Sequence, residues 1–404
     1  MSETNQPGAV QPEQNISPFM RWVKNIFYRG THEFYDYGLV FVVLFLVLFG
    51  IIMVYSTTSY SDAITYNNAF FSVKKQLTFA GISFVLAIII SKLDYHWIVK
   101  LGLPIYLAAF ALNGVVLFMG NSANGSQRWL NMGGVSVQPS ELLKPALVLV
   151  LAWYLVKFYV DKGANFWSEF KYSFIGLLFA VAGFGIVVKS NLSTALIIAL
   201  IGYWTCYVTS KIKGIFPFLF IFGIVMIVVL YNVGALDGFL EGYRNRRIEA
   251  WLHPEQSKAE ETHQVLQGLY AIGSGGIFGK GLGSSIQKLG FLPEAQNDMI
   301  FTIICEELGI CGAFFVIALY VIMIFRLMFI ANNAPDMTGA VLTTGIMIHM
   351  SLQVLLNIAV VTNLMPNTGI TLPFISYGGS ALMVLICEIG LALSVSNQIK
   401  VKGR

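Results

Sequence analysis

Acids and bases fall at chemically useful spacings in several places along this chain. Glu141 and Lys144 are three residues apart, so a helix places them on one face. Pro139 and Ser140 suit the start of that helix, and its dipole favours an anion such as Glu141 in the first turn. On spacing alone the two read as an ion pair at the edge of an apolar segment. Asp298 stands at the head of a long apolar run, where an outward-facing cavity would end. Tyr243 to Leu252 sets Arg244, Arg247 and Trp251 at i, i+3 and i+7 beside Arg246. That pattern suits a helix lying at an interface, and it serves phosphate contact or plain anchoring equally well.

Two further features call for a role. The run from Gly273 to Gly283 resembles a phosphate loop but fails both common spacings. Ser274 stands where the first Gly of a Walker loop belongs, Gly281 stands where Ser or Thr should follow Lys280, and Phe278 blocks GxGxxG. A tight turn that lets the short helix over Gln264 to Ile272 dip and return is the better reading. Glu306, Glu307, His349 and Glu388 lie inside apolar segments, where ionisable groups are costly and must face the interior. Glu306 is eight residues past Asp298, about 12 Å deeper along a helix, so the two cannot act on one atom. Helix packing is the expectation for these deep acids.

The elements that must position these residues follow from composition. The 404 residues are 56% hydrophobic and only 11% charged, with a mean hydropathy of +0.71, which excludes a water-soluble globule. A bilayer core takes roughly 20 apolar residues as helix. The first such segment is Gly38 to Tyr55, after a polar tail over residues 1–36 that is too rich in Gln, Pro and Glu for a signal peptide. Others are expected at Gln76 to Ile90, Ile98 to Met119, Pro145 to Tyr159, Ser173 to Val188, Thr194 to Thr209, Ile215 to Val233, Met299 to Ile330, Gly339 to Val361 and Ala381 to Val395. The fold class is therefore an all-α polytopic membrane protein of about ten transmembrane helices. Its membrane domain covers residues 37–398, with a large outer loop over about 234–298 between helices 7 and 8 and a short tail over residues 399–404.

Lysine and arginine counts set the orientation. With the N-terminus inside, fourteen fall in inside segments, five in short outside loops and six in the long loop, which accounts for all 25. Both termini are therefore expected in the cytoplasm. Cys206, Cys305, Cys311 and Cys387 all fall within expected spans, which implies buried packing and no disulfide framework. The net charge of +4 is what insertion requires, and it implies no nucleic-acid partner.

At these residues the sequence resembles the SEDS family of cell-wall synthases, comprising the FtsW, RodA and SpoVE types. Four blocks carry the likeness: Arg128-Trp129 with Gln138-Pro-Ser-Glu-Leu-Leu-Lys144; Gly273 through Gly283; Leu292-Pro-Glu-Ala-Gln-Asn-Asp298 with Glu306-Glu-Leu-Gly309; and Pro366 through Ser380. The Thr-Leu-Pro-Phe-Ile-Ser-Tyr wording is more similar to the division and sporulation members than to the elongation type. Two departures stand out. Lys189-Ser-Asn-Leu-Ser-Thr194 replaces a common Gln-Pro-Asp-Leu-Gly-Thr, so that acid is absent, and Gln296-Asn297 replaces His-Thr ahead of Asp298.

The resemblance implies a peptidoglycan glycosyltransferase that polymerises lipid II into glycan strands at the outer face of the cytoplasmic membrane, for septal or spore wall. It implies Asp298 as catalytic base, with Glu141 and Lys144 as the other polar catalytic residues. Arg128, Trp129, Arg244, Arg246, Arg247 and Ser376 are the substrate-binding candidates. A divalent cation, Mg2+ or Mn2+, is left open as the sole cofactor. The implied partners are lipid II and undecaprenyl-linked glycan, a class B penicillin-binding protein acting as transpeptidase, and division-complex membrane proteins at the division site. Two rival readings remain, a lipid II flippase and a noncatalytic scaffold for the transpeptidase.

Overall fold

The computed structural model describes residues 34–119, 121–123, 126–132, 135–160, 166–211, 213–232, 247, 251–252 and 260–400. Helices form wherever the sequence keeps its apolar runs unbroken, and they end where a cap or a left-handed residue intervenes. Asp36 caps α1 (Tyr37–Tyr66) by accepting from the Leu39 amide at 2.8 Å, and Asn67 ends it at φ 52°. Next come α2 (Phe71–Lys92), α3 (Tyr95–Lys100) and α4 (Gly102–Met119). The single span expected over Ile98 to Met119 is thus broken at Leu101. Asp94 caps α3 by accepting from the His96 amide, and Pro104, which has no N–H, suits the first turn of α4.

A small antiparallel sheet follows, in the order β1 (Asn121–Ala123), β2 (Ser126–Met132), β3 (Val135–Val137), pairing Asn121 with Trp129 and Leu130 with Val137. It was not expected from the sequence. The chain then forms α5 (Pro139–Tyr154) with a π-helical turn over Leu155–Val160, α6 (Phe166–Val187), α7 (Leu192–Thr209), α8 (Ile215–Asn232), α9 (Glu260–Ser274), α10 (Ile300–Asn332), α11 (Met337–Val361) and α12 (Gly379–Ser396).

All ten expected spans are present as helices. Eight of them, α1, α2, α5, α6, α7, α10, α11 and α12, are long and apolar enough to cross a membrane by length and composition, and α4 is a shorter apolar helix. α5 and α12 form the interior, and the outer helices show Phe41, Phe118 and Phe314 to their surroundings. Such an apolar exterior suits lipid, and the chain is a multi-pass membrane protein. One end of the bundle gathers the start of α1, the end of α12 and the α10–α11 link. There the Asp36 amide donates to Ser396 Oγ at 3.0 Å, and Tyr95 Oη donates to Asp336 at 2.7 Å. The other end carries the sheet, the chain from α9 to Asp298, and the segment between α11 and α12.

The cysteine expectation needs one correction. Cys206 and Cys305 are buried and Cys387 is half-buried, but Cys311 is exposed, just past a break in α10 that turns its neighbour Ile310 outward.

Candidate functional site at one end of the bundle

The site begins with α5. Pro139 opens the helix and Glu141 lies in its first turn. Pro145, four residues on, has no N–H to give the Glu141 carbonyl, which therefore lacks its usual helical donor. Lys144 Nζ lies 2.7 Å from Glu141 Oε2 and donates to Gln353 Oε1 on α11 at 3.1 Å. The ion pair expected from the spacing is present, and it is buried, with Lys144 only 1% exposed.

Asp298 immediately precedes α10 and is 7% exposed, and its Oδ1 lacks a hydrogen-bond partner among the described residues. Burial, reinforced by the charge of Glu294, pushes its carboxyl up to about 7, while Arg247 and the backbone amides of Asp298 and Met299 pull the other way. Its backbone carbonyl accepts from Asn357 Nδ2 at 2.9 Å, and the same amide donates to the Ile370 carbonyl at 2.6 Å. Gln353 and Asn357 are four residues apart on α11, about 6 Å along the axis. Lys144 and Asp298 are therefore fastened to one helix face, one turn apart.

The segment between α11 and α12 lines the same end. Gln353 Nε2 donates to the Thr371 carbonyl at 3.1 Å, Arg247 Nη1 to the Asn367 carbonyl at 2.9 Å, and Trp251 Nε1 to the Asn363 carbonyl at 3.0 Å. Asn367 Nδ2 donates to Gln264 Oε1 at 2.7 Å, and Ser193 Oγ donates to the Thr368 carbonyl. Gly369 adopts φ 68°, and a Cβ there would stand 3.7 Å from Asp298 Oδ2, so glycine permits the turn close beside the carboxylate. Where the resemblance lost its acid, Asn191 instead caps α7 through the Thr194 amide.

Asp298, Glu141, Lys144 and Arg247 lie at the same end of the bundle, tied to α11 and to the segment that follows it. Ser376 does not offer its hydroxyl to a ligand: Oγ donates to the Asn297 carbonyl and accepts from the Leu372 amide, which fixes the backbone beside Asp298. Trp129 is half-buried on β2, and Arg128 is its neighbour on that strand, with its side chain outside the described residues. Arg244 and Arg246 lie outside the described residues, as does most of the interfacial helix expected over Tyr243 to Leu252. Gln353 and Asn357 were missed, although His349, Gln353 and Asn357 form a polar stripe at i, i+4 and i+8 along an otherwise apolar helix.

Deeper in the bundle, α9 descends beside α10 and the glycine-rich run turns back, as the sequence suggested. At Gly309 α10 breaks, with φ 67° and ψ −164°. The amides of Lys280 and Gly281 donate to the Glu306 and Glu307 carbonyls, and those of Ile310 and Cys311 donate to Gly276 and Ile277. Lys280 Nζ meets Glu306 at 2.7 Å, and Lys288 Nζ meets Glu307 at 2.7 Å and Ser56 Oγ at 2.9 Å. A side chain at Gly279 or Gly309 would collide with this backbone ladder. The deep acids therefore dock the returning loop, which agrees with their expected packing role.

A bundle of apolar helices with a buried acid–cation cluster at one end defines a multi-pass membrane protein. Over residues 37–401 the chain matches the profile described as "Cell cycle protein", that of FtsW, RodA and SpoVE, and it belongs to this family. Stage V sporulation protein E of Bacillus subtilis is 37% identical over 89% of this chain and 96% of its own length. A probable peptidoglycan glycosyltransferase FtsW of Geobacter sp. (strain M18) is 35% identical over 91% and 98%. Among solved structures, a chain from a peptidoglycan synthase complex superposes with a TM-score of 0.72 at 24% identity, covering 90% of this chain and 97% of that one. The rod shape determining protein RodA of Thermus thermophilus gives 0.64 at 24% identity over 91% and 98%.

Proposed function

We propose that this chain is a peptidoglycan glycosyltransferase that joins lipid II units into glycan strands, with Asp298 as the base. The carrying observation is a buried carboxyl group with an oxygen unpartnered among the described residues and a pKa near neutrality, its backbone tied to α11 one turn from the residue that holds a buried lysine. A base poised near the working pH is the most effective kind. Asp298 takes the proton from the 4-hydroxyl of one lipid-linked disaccharide as that oxygen attacks the anomeric carbon of another. The bond to undecaprenyl diphosphate breaks on the opposite side, with inversion. Diphosphate leaves without a general acid, and Lys144, aimed by Glu141 and Gln353, meets its negative charge. Arg247 supplies a further cation.

Asp298 and Lys144 are closed over in this structure, so substrate entry must open the cover formed by the segment from Asn363 to Thr371. Among the described residues no group of three His, Cys, Asp or Glu side chains is arranged to hold a metal ion. A divalent cation would accordingly be held by the free Asp298 oxygen and the substrate's own phosphates, adding positive charge there. The outer face of the cytoplasmic membrane, with both termini in the cytoplasm, is the orientation that the lysine and arginine bias supports. The likeness to a chain from a peptidoglycan synthase complex that coordinates polymerization with crosslinking supports a class B penicillin-binding protein as partner. Division or sporulation is the setting, with division-complex membrane proteins nearby.

Transport of lipid II fits less well. The buried line from Glu141 through Lys144, Gln353 and His349 to Glu388 is paired at every step, which suits a fixed site more than a moving path. The deciding experiment is polymerisation of lipid II by the purified full-length protein in detergent, with and without the transpeptidase. Glycan from wild type and none from Asp298→Asn is expected. No polymer from wild type in either condition would return the case to transport or scaffolding.

A further inference from the structure

Beneath Lys144 a line of buried polar groups leads away from the site. Gln353 Oε1 accepts from Lys144 Nζ at 3.1 Å and lies 3.0 Å from His349 Nε2. His349 Nδ1 is 2.8 Å from Glu388 Oε2 on α12. Gln353, His349 and Glu388 are each 1% exposed or less.

Donor and acceptor chemistry fixes the protons in this line. Lys144 can only donate, so the oxygen of the Gln353 amide must face it, and the amide nitrogen is left for the Thr371 carbonyl, where it is found. The same oxygen faces His349 Nε2, which must therefore carry a hydrogen. Nδ1 then meets a carboxyl group, and that contact is satisfied only if a proton sits between them, on the imidazole or on Glu388.

We propose that His349 and Glu388 are positioning residues for the glycosyl transfer, acting through Gln353 to aim Lys144 and to fasten the Thr371 backbone. The inference rests on the reading of Lys144 as the group that meets the diphosphate. His349 touches neither substrate nor Asp298. It fixes the rotamer of Gln353, whose two amide ends hold the cation on one side and the covering segment on the other. Without a partner at Nδ1, His349 can turn or change tautomer, and Gln353 Oε1 loses a donor that kept it facing Lys144.

The test compares Glu388→Gln with Glu388→Leu in the purified full-length protein, each in wild-type and Lys144→Arg backgrounds, in lipid II polymerisation with its transpeptidase partner. The amide introduced by Glu388→Gln can donate to Nδ1 and leave the hydrogen on Nε2, so kcat within about threefold of wild type is expected. Glu388→Leu should lower kcat by about tenfold or more, with little change in KM, because a misaimed Lys144 fails at the charge that develops in the transition state. In the Lys144→Arg background, where the ammonium that Gln353 seats is gone, Glu388→Leu should cost less than about twofold further. Full additivity with Lys144→Arg, or equal loss in Glu388→Gln and Glu388→Leu, would overturn the proposal even if both variants remain folded. An active wild type with an undiminished Glu388→Leu would overturn it while leaving the glycosyltransferase reading intact. An inactive wild type overturns that reading first.

Discussion

The head of α10 carries buried acids of two kinds within three turns. Asp298 has an oxygen without a partner among the described residues, a raised pKa and a glycine in front of it. Glu306 and Glu307 are each 0% exposed, and they are held by Lys280, Lys288, Ser56, Ser285 and the Ile286 amide. Burial is similar, so burial alone does not separate a working group from a structural one. What separates them is satisfaction: the deep pair is saturated with donors, whereas the outer acid is left short of one and costs free energy to ionise.

The largest test of this contrast is Asp298→Asn, expected to cost about 1,000-fold or more in polymerisation. The same variant should unfold at a higher temperature than wild type at pH 8. An acid whose folded pKa is raised opposes folding above its unfolded value near 4, increasingly so up to about 7, and the amide has no charge to bury. Lower activity together with lower stability would break the comparison, because it would make Asp298 a structural acid like its neighbours.

Glu307→Ala should do the opposite, removing about 3–5 kcal/mol of stability by leaving Lys288 unpaired, as a thermal unfolding midpoint would show. Third in size, Lys144→Met should lose about 10- to 100-fold in kcat and Lys144→Arg less. Equal losses would point to shape instead of charge. The smallest effect is a change in the pH profile. Activity should rise with pH through about 7 as Asp298 ionises. Glu294→Gln should move that limb to lower pH and Arg247→Gln to higher pH, since the two charges act on Asp298 in opposite senses.

The helices were legible because hydropathy is local. Each expected span could be read from its own stretch of chain, and only the Leu101 break and the edges shifted. The β1–β3 sheet was not legible, because strands of three and seven residues amid Gly, Asn and Ser show no sustained alternation. For the site, Asp298, Glu141 and Lys144 came from family wording, and the structure adds why they belong together. Arg247 was one basic residue among several in the sequence, and its bond to the Asn367 carbonyl ties it to the segment beside Asp298. Ser376 carried the right wording, but its hydroxyl serves the backbone. His349 and Glu388 are 39 residues apart on separate helices, and no pattern along the chain announces that meeting.

The lysines of the returning loop have a consequence for biosynthesis. Lys280 and Lys288 leave the ribosome before Glu306 and Glu307, so their charges have no counterions until the head of α10 follows. Ammonium groups are expensive in hydrocarbon. The glycine-rich hairpin must therefore wait in the aqueous layer and enter the bundle together with the acids, as one cooperative act.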